Sequence, residues 1–317
     1  MKLNTRLRKR KQKRFRSRTR KLKGGTVFDN INKGQKGSSI TRGPTEGPSK
    51  LVNNKKEFTF YNRFHLGDNI FNLKFFYNIS NILKQKGIII RYLYNPIEIS
   101  KPDEMNRYVN PETLTLAPMD VNGPPSDAMD AWLGNDINGM KYNPDFDGYM
   151  KKYYERIVGQ LALESSGIDT SLYQKEPYLE EIYNKFDPKF KDLDILIINA
   201  EPKSGQVVYH KLLFEKMCIE LSKKYKIATT SPIEGHEEIP CTFRDKLMLQ
   251  DIGAVSTHAK YIIAIHSGPV TPCYNDAARQ HVKKWIIFAD NGIEHNQINC
   301  VTLKNDYDYR HIEEHLK

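Results

Sequence analysis

The chain lacks most of the signatures that announce a chemistry at sight. Its four cysteines, Cys218, Cys241, Cys273 and Cys300, stand far apart with no C-x-x-C pair. That spacing argues against a zinc site, supplies no disulfide framework and indicates a reducing compartment. No apolar run approaches the roughly 18 residues of a membrane span, and no apolar segment follows the N-terminal charges. Neither a transmembrane helix nor a signal peptide is expected, and the cytoplasm is the expected location. Neither G-x-G-x-x-G nor G-x-x-x-x-G-K-[ST] occurs, so dinucleotide dehydrogenases and P-loop nucleotide hydrolases receive no motif support, and no cofactor is expected.

Acidic residues are missing from residues 1–23, which hold 13 Lys and Arg. The rest of the chain keeps 36 of the 49 basic side chains against all 38 acidic ones, so the formal net charge of +11 belongs to this block and the body is close to neutral. A stretch rich in Gly, Ser, Thr, Asn and Pro follows, up to Asn54. Such a segment cannot bury enough apolar area to offset its ordering entropy, and residues 1–55 are expected to be a disordered tail. Residues 1–23 suit a nucleic acid or another polyanion, or a nuclear address. A Lys/Arg block ending in Gly-Gly is similar to tails on proteins of large DNA viruses, which would place the protein in host cytoplasm or in the virion.

Beyond the tail, 39% hydrophobic content supports a substantial core. Short apolar, β-branched runs alternate with helical spacing, the rhythm of a parallel α/β fold. Strands are expected at residues 57–61, 88–94, 194–198, 225–230, 261–265 and 285–288. Helices are expected over 70–83, 148–165, 178–186, 212–221, 247–258 and 307–316. Prolines interrupt the pattern from Asn95 to Phe146, where one short strand, Thr113–Leu116, is all that can be assigned. The domains expected are an N-terminal Rossmann-like unit over 56–190 and a C-terminal one over 191–317.

The stretch that organises the chain is Tyr261 to Ala278. A buried strand stops at His266-Ser267-Gly268-Pro269; Gly268 permits close backbone approach, and Thr271 is the expected N-cap of a helix running through Asp276 to Arg279. Ligands of open α/β sheets bind outside the carboxyl ends of strands, and a helix N-terminus beside the Ser267 hydroxyl suits a phosphate. An equivalent bend after the first strand carries His65, Gly67 and Asp68.

Three segments carry a resemblance. Arg63 to Ile70 (RFHLGDNI) is similar to the first loop of heptosyltransferase-like glycosyltransferases, where a Gly-Asp pair opens the first helix. Asp194 to Ser204 (DILIINAEPKS) resembles the strand and loop that begin that family's donor domain. Leu249 to Pro269 (LQDIGAVSTHAKYIIAIHSGP) resembles its helix, buried strand and donor-phosphate loop. The likeness covers residues 57–94 and 194–290. It implies a GT-B fold, two Rossmann-like domains facing across a cleft, and metal-independent transfer of a sugar from a nucleotide-sugar donor to a glycan or other hydroxyl acceptor. It also implies Asp68 as the general base, His65 and Gly67 on the acceptor side, and Lys203, Ser204, His266, Ser267, Gly268 and Pro269 around the donor phosphates. His266 stands where many relatives carry an acidic residue, and Pro269 where they carry a small one.

Blander readings fit some of the same residues. Asp68 is equally suited to cap the first helix, His65 and His266 to be structural, and Lys203 to be a solvated loop charge. Asp192-Leu-Asp194 and Asp145-Phe-Asp147 match the short D-x-D pattern of metal-dependent transferases, but the first precedes a strand, the second sits in the unassigned region, and no metal is invoked. The rival function is a glycosyltransferase-like module without activity, whose basic tail does the binding.

Overall fold

Alternating apolar residues build two parallel sheets. The structure is a computed structural model describing residues 47–132, 146–163, 187–202, 207–289, 299–304 and 306–317, with scattered positions between 168 and 185. The basic block of residues 1–23, Lys203, Ser204 and the Asp145-Phe-Asp147 motif lie outside the described residues or their described side chains. Among the described residues no helix is long and apolar enough to cross a membrane.

The first sheet is centred on β2 (Lys55–Asn62), which follows the short β1 (Lys50–Val52). The two pair antiparallel through a two-residue turn whose residues, Asn53 and Asn54, both have positive φ (49° and 62°), the geometry for which Asn is selected. β1 thus lies within the stretch expected to be tail. On its other side β2 pairs in parallel with β3 (Ile88–Tyr94), and β3 with β4 (Leu114–Pro118). The chain then returns across the sheet to place β5 (Met129–Asp130) beside the last residues of β2, Phe60 opposite Met129 and Tyr61 opposite Asp130. Strand order therefore reverses between β2 and β5.

The second sheet runs β10-β9-β8-β6-β7, all parallel: β6 (Leu193–Ile198), β7 (Ile227–Thr229), β8 (Ala259–Ile265), β9 (Lys284–Phe288) and β10 (Cys300–Leu303). Here the reversal falls between β6 and β8. Strands buried on both faces explain the continuous apolar runs. Ile195, Ile197, Ile263, Ile265, Ile286 and Phe288 face the helix Lys211–Ser222 and the terminal helix Tyr309–His315. Leu196, Ile198, Ile262, Ala264 and Ile287 face the other way, into a core shared with the first sheet and its helices. Residues 44–317 form one compact unit.

The first expected helix is two segments, Leu66–Asn78 and Ser80–Gln85, jointed at Ile79 and ended at Gly87, whose φ of 63° turns the chain into β3. Ile70, Leu73, Phe75 and Phe76 bury its inner face. The helix Phe146–Gln160 adds Tyr153, Tyr154 and Ile157 to the same layer, and Tyr154 stacks on Phe75 at 4.0 Å. Two side chains of the short helix Asp103–Asn106 and its end cross to the second sheet's layer: Glu104 accepts the backbone N–H of Leu249 at 2.9 Å, and Arg107 pairs with Asp251 at 3.0 Å.

Candidate functional site

Both switch points lie at the carboxyl ends of their strands, and the two loops that leave them touch. A Cβ placed on Gly67 would fall 3.1 Å from the Gly268 Cα and 3.1 Å from Thr271 Oγ1. Backbone meets backbone here because neither residue has a side chain. Asp68 and Ser267, the neighbours of these glycines, therefore stand on either side of one junction between the halves.

A buried polar network builds the first loop. Asn62, at the end of β2, accepts the Phe64 N–H at 2.9 Å and donates to Asn72 at 2.8 Å. Asn69 donates to the carbonyls of Phe64 and His65, while the Tyr92 hydroxyl from β3 donates to Asn72 at 2.7 Å and lies 3.0 Å from the Asn69 amide oxygen. Asn72 also donates to the Tyr153 hydroxyl, which donates to the Ala131 carbonyl at 3.1 Å. Each member is satisfied by another, so the bend at 63–65 and the end of β5 are held as one piece.

His65 is the N-cap of the first helix, with extended backbone, and Asp68 occupies the third helical position. Asp68 is thus not the N-cap. Its carboxylate instead reaches back to accept the His65 backbone N–H and takes a hydrogen bond from the Trp132 side chain. Burial pushes its pKa up from the ordinary 3.8 to about 6, against the opposing pull of His65, the two backbone N–H groups of His65 and Asp68, and Trp132. His65 Nδ1 stands 3.2 Å from Glu98 Oε2, an electrostatic contact rather than an aligned hydrogen bond.

The second loop corrects one expectation. No α-helix begins at Thr271; residues Gly268–Cys273 form a 3-10 turn containing Pro269 and Pro272, and the α-helix Asp276–His281 starts later. Its cap is Asn275, which accepts the Ala278 N–H at 2.8 Å, and not Thr271. Asn ranks above Thr as a cap, and Asn275 also donates to the carbonyls of Pro272 and Gly253, tying the turn to the helix Leu249–Ser256. Thr271 instead packs its hydroxyl against Gly67. An α-helix N-terminus is therefore not what faces the switch point. What faces it is the bend itself, with the Ser267 hydroxyl buried and without a partner among the described residues. Burial also lowers the His266 pKa from the ordinary 6.5 to about 4, so the imidazole is neutral at pH 7.

At the end of β6, Asn199 accepts the backbone N–H groups of Thr230 and Ser231, fixing the strand end from which the loop carrying Lys203 and Ser204 departs. Asp194, from the D-x-D pattern, sits at the opposite end of β6, bonded to Lys260 at 2.7 Å and to the Lys226 N–H at 2.9 Å. It is a clasp between strands, remote from both loops. The residues that sequence reading misses are Trp132, Asn62 and Asn72; the first two flank strand ends, but no spacing rule connects Trp132 to Asp68.

No protein-family model matches the sequence, and no curated protein matches it. Among solved structures the chain is similar to the E. coli heptosyltransferase WaaC with ADP-2-deoxy-2-fluoro heptose, at 9% identity and a TM-score of 0.44 over 82% of this chain and 99% of that one. It is similar to a glycosyl transferase family 9 protein from Veillonella parvula, at 11% identity and a TM-score of 0.43 over 84% and 90%. The dodecameric iron-containing glycosyltransferase TibC from enterotoxigenic E. coli matches at 10% identity and a TM-score of 0.39 over 83% and 64%. With TM-scores under 0.5 these are likenesses of layout, and no residue's role is taken from them.

Proposed function

We propose that the chain transfers a sugar from a nucleotide-activated donor to an acceptor hydroxyl, with Asp68 as the general base. The observation that carries this reading is the Asp68 carboxylate itself, half-buried at the junction of two strand-order reversals with its pKa raised to about 6. A base of that pKa is ionised at neutral pH yet basic enough to take a proton in a transition state. In the proposed step the acceptor oxygen attacks the anomeric carbon as Asp68 removes its proton. The bond from that carbon to the diphosphate oxygen breaks, and the nucleoside diphosphate leaves. The Ser267 hydroxyl, without a partner among the described residues, and the adjoining backbone would receive the departing phosphates, with Lys203 supplying positive charge. His266, neutral at pH 7, can offer a hydrogen bond in this scheme but no positive charge.

A panel of nucleotide sugars in a thermal-shift assay tests the donor half, because a ligand that binds only the folded chain stabilises it. Gly268→Val should abolish that shift with the fold retained, and unchanged donor affinity would remove the phosphate assignment. Transfer should persist in EDTA, since no metal is given a part. Residues 1–23 are read as a polyanion contact on their 13 uncompensated cations. Removing them should weaken binding to nucleic acid in a salt-dependent way and leave sugar transfer intact.

A further inference from the structure

β5 is two residues long and adds little to the sheet, yet it is anchored more heavily than its length requires. What it delivers is Trp132. The Trp132 ring stacks on Phe64 with centroids 4.1 Å apart and planes 30° from parallel. Its backbone N–H donates to Asp130 Oδ1 at 2.8 Å, and its carbonyl accepts from Arg156 at 3.3 Å. One residue earlier, the Ala131 N–H donates to the Tyr61 carbonyl at 2.8 Å, and the Ala131 carbonyl accepts from Tyr153. Asp130 is held in turn by the Tyr61 hydroxyl at 3.2 Å and by Arg63 at 3.6 Å. A half-buried ring fixed on so many sides points its polar atom at a chosen partner, and that partner is Asp68.

We propose that Trp132 is the positioning residue of the site, donating its indole N–H to the Asp68 carboxylate from a ring clamped against Phe64. Three donors then hold that carboxylate: the backbone N–H groups of His65 and of Asp68 itself, and the indole from the end of β5. Holding the group from two elements fixes its direction, as a base must be fixed to meet a hydroxyl within about 3 Å. The consequence for turnover rests on the transferase reading; the contact does not. Among the described residues the other ionisable groups around Asp68 are His65 with Glu98, Tyr92 beneath the loop, and Asp130 with Arg63 and Arg156. His266 directly follows the last residue of β8 in the other half.

The test needs no substrate. The chain has two tryptophans, and Trp285 is fully buried and stacked on Tyr274, so a pH-dependent change in emission reports on Trp132. Emission of the full chain should show a transition near pH 6 as the bonded carboxylate protonates. The transition should vanish in Asp68→Asn and in Trp132→Phe, and in His65→Gln it should move without vanishing. A transition that persists in Asp68→Asn overturns the proposal. In a turnover assay Trp132→Phe keeps the stack but loses the donor, so kcat should fall, the donor KM should hold, and the acid limb of kcat/KM should move to higher pH by about one unit. An acid limb that stays in place overturns the positioning role. If the emission transition behaves as expected and no sugar is transferred, the transferase reading alone falls.

Discussion

The two loops that meet at Gly67 and Gly268 are built by opposite means. The loop after β2 is held from below by side chains: Asn62, Asn69, Asn72, Tyr92 and Tyr153 bond its backbone and one another. The loop after β8 is held by its own backbone shape, a proline-containing 3-10 turn closed by Asn275. A side-chain network can aim a reacting group; a rigid backbone bend can receive a ligand without moving. Under the proposed transferase reading, proton transfer falls to the first half and ligand seating to the second. It also explains why desolvation acts on a carboxylate on one side and on an imidazole on the other, driving both toward the neutral form.

The sharpest way to break this division is Asp68→Asn. Asn accepts the His65 N–H about as well as a carboxylate does, so local structure should persist, while turnover should fall by at least roughly a hundredfold. Donor-induced thermal shifts should be unchanged. Preserved turnover would move the base elsewhere, with His65 the next candidate.

A smaller effect is expected at the junction, and it is asymmetric. A methyl on Gly67 would meet Gly268 Cα and Thr271 Oγ1 at 3.1 Å, tighter than ordinary contact, whereas a methyl on Gly268 would meet the Gly67 N at 3.5 Å. Gly67→Ala should therefore cost about 1 kcal/mol through overpacking, despite the better helix propensity of Ala, while Gly268→Ala should fall within about 0.5 kcal/mol of the parent. Chemical denaturation of the two variants checks the ordering. Equal losses would mean that the halves are not in contact at these residues.

What is legible in the sequence follows the same division. The long strands announce themselves because a doubly buried parallel strand is apolar at every position, as in Tyr261 to Ile265. Gly67, Asp68, Ser267 and Gly268 are visible because bends at strand ends concentrate glycine and hydroxyl residues. β5 is not, since two residues give periodicity nothing to act on, and neither is β10, whose residues are only half-buried and form no continuous apolar run. Thr271 and Asn275 are both acceptable caps by residue type, and the choice is made by Gly253 and Ser256 on another helix. The sequence offers Asp68 as a cap or a base. In the fold it is neither cap nor isolated acid but a third-position carboxylate whose second partner, Trp132, lies 64 residues further along the chain. Tertiary neighbours of that kind leave no local mark.

The smallest effect separates the halves by the sign of their pH dependence. Asp68 is raised from 3.8 to about 6, so the folded state binds more protons than the unfolded state between those values. Its contribution to stability is present below about pH 4 and is lost as pH rises through 6. His266 is lowered from 6.5 to about 4, so the unfolded state binds the extra proton in that window, and stability rises with pH from 4 to 6.5. The two slopes oppose each other and partly cancel in the parent chain. Asp68→Asn removes the falling slope, so its melting temperature should climb more steeply than the parent's between pH 4 and 6.5. His266→Gln removes the rising slope and should flatten or invert the curve. Both groups are only half-buried, so solvent screening limits the differences to a few degrees. Melting curves from pH 4 to 8 decide it: parallel curves for parent and both variants would show that neither loop is desolvated, and the contrast between an aiming half and a seating half would lose its electrostatic support.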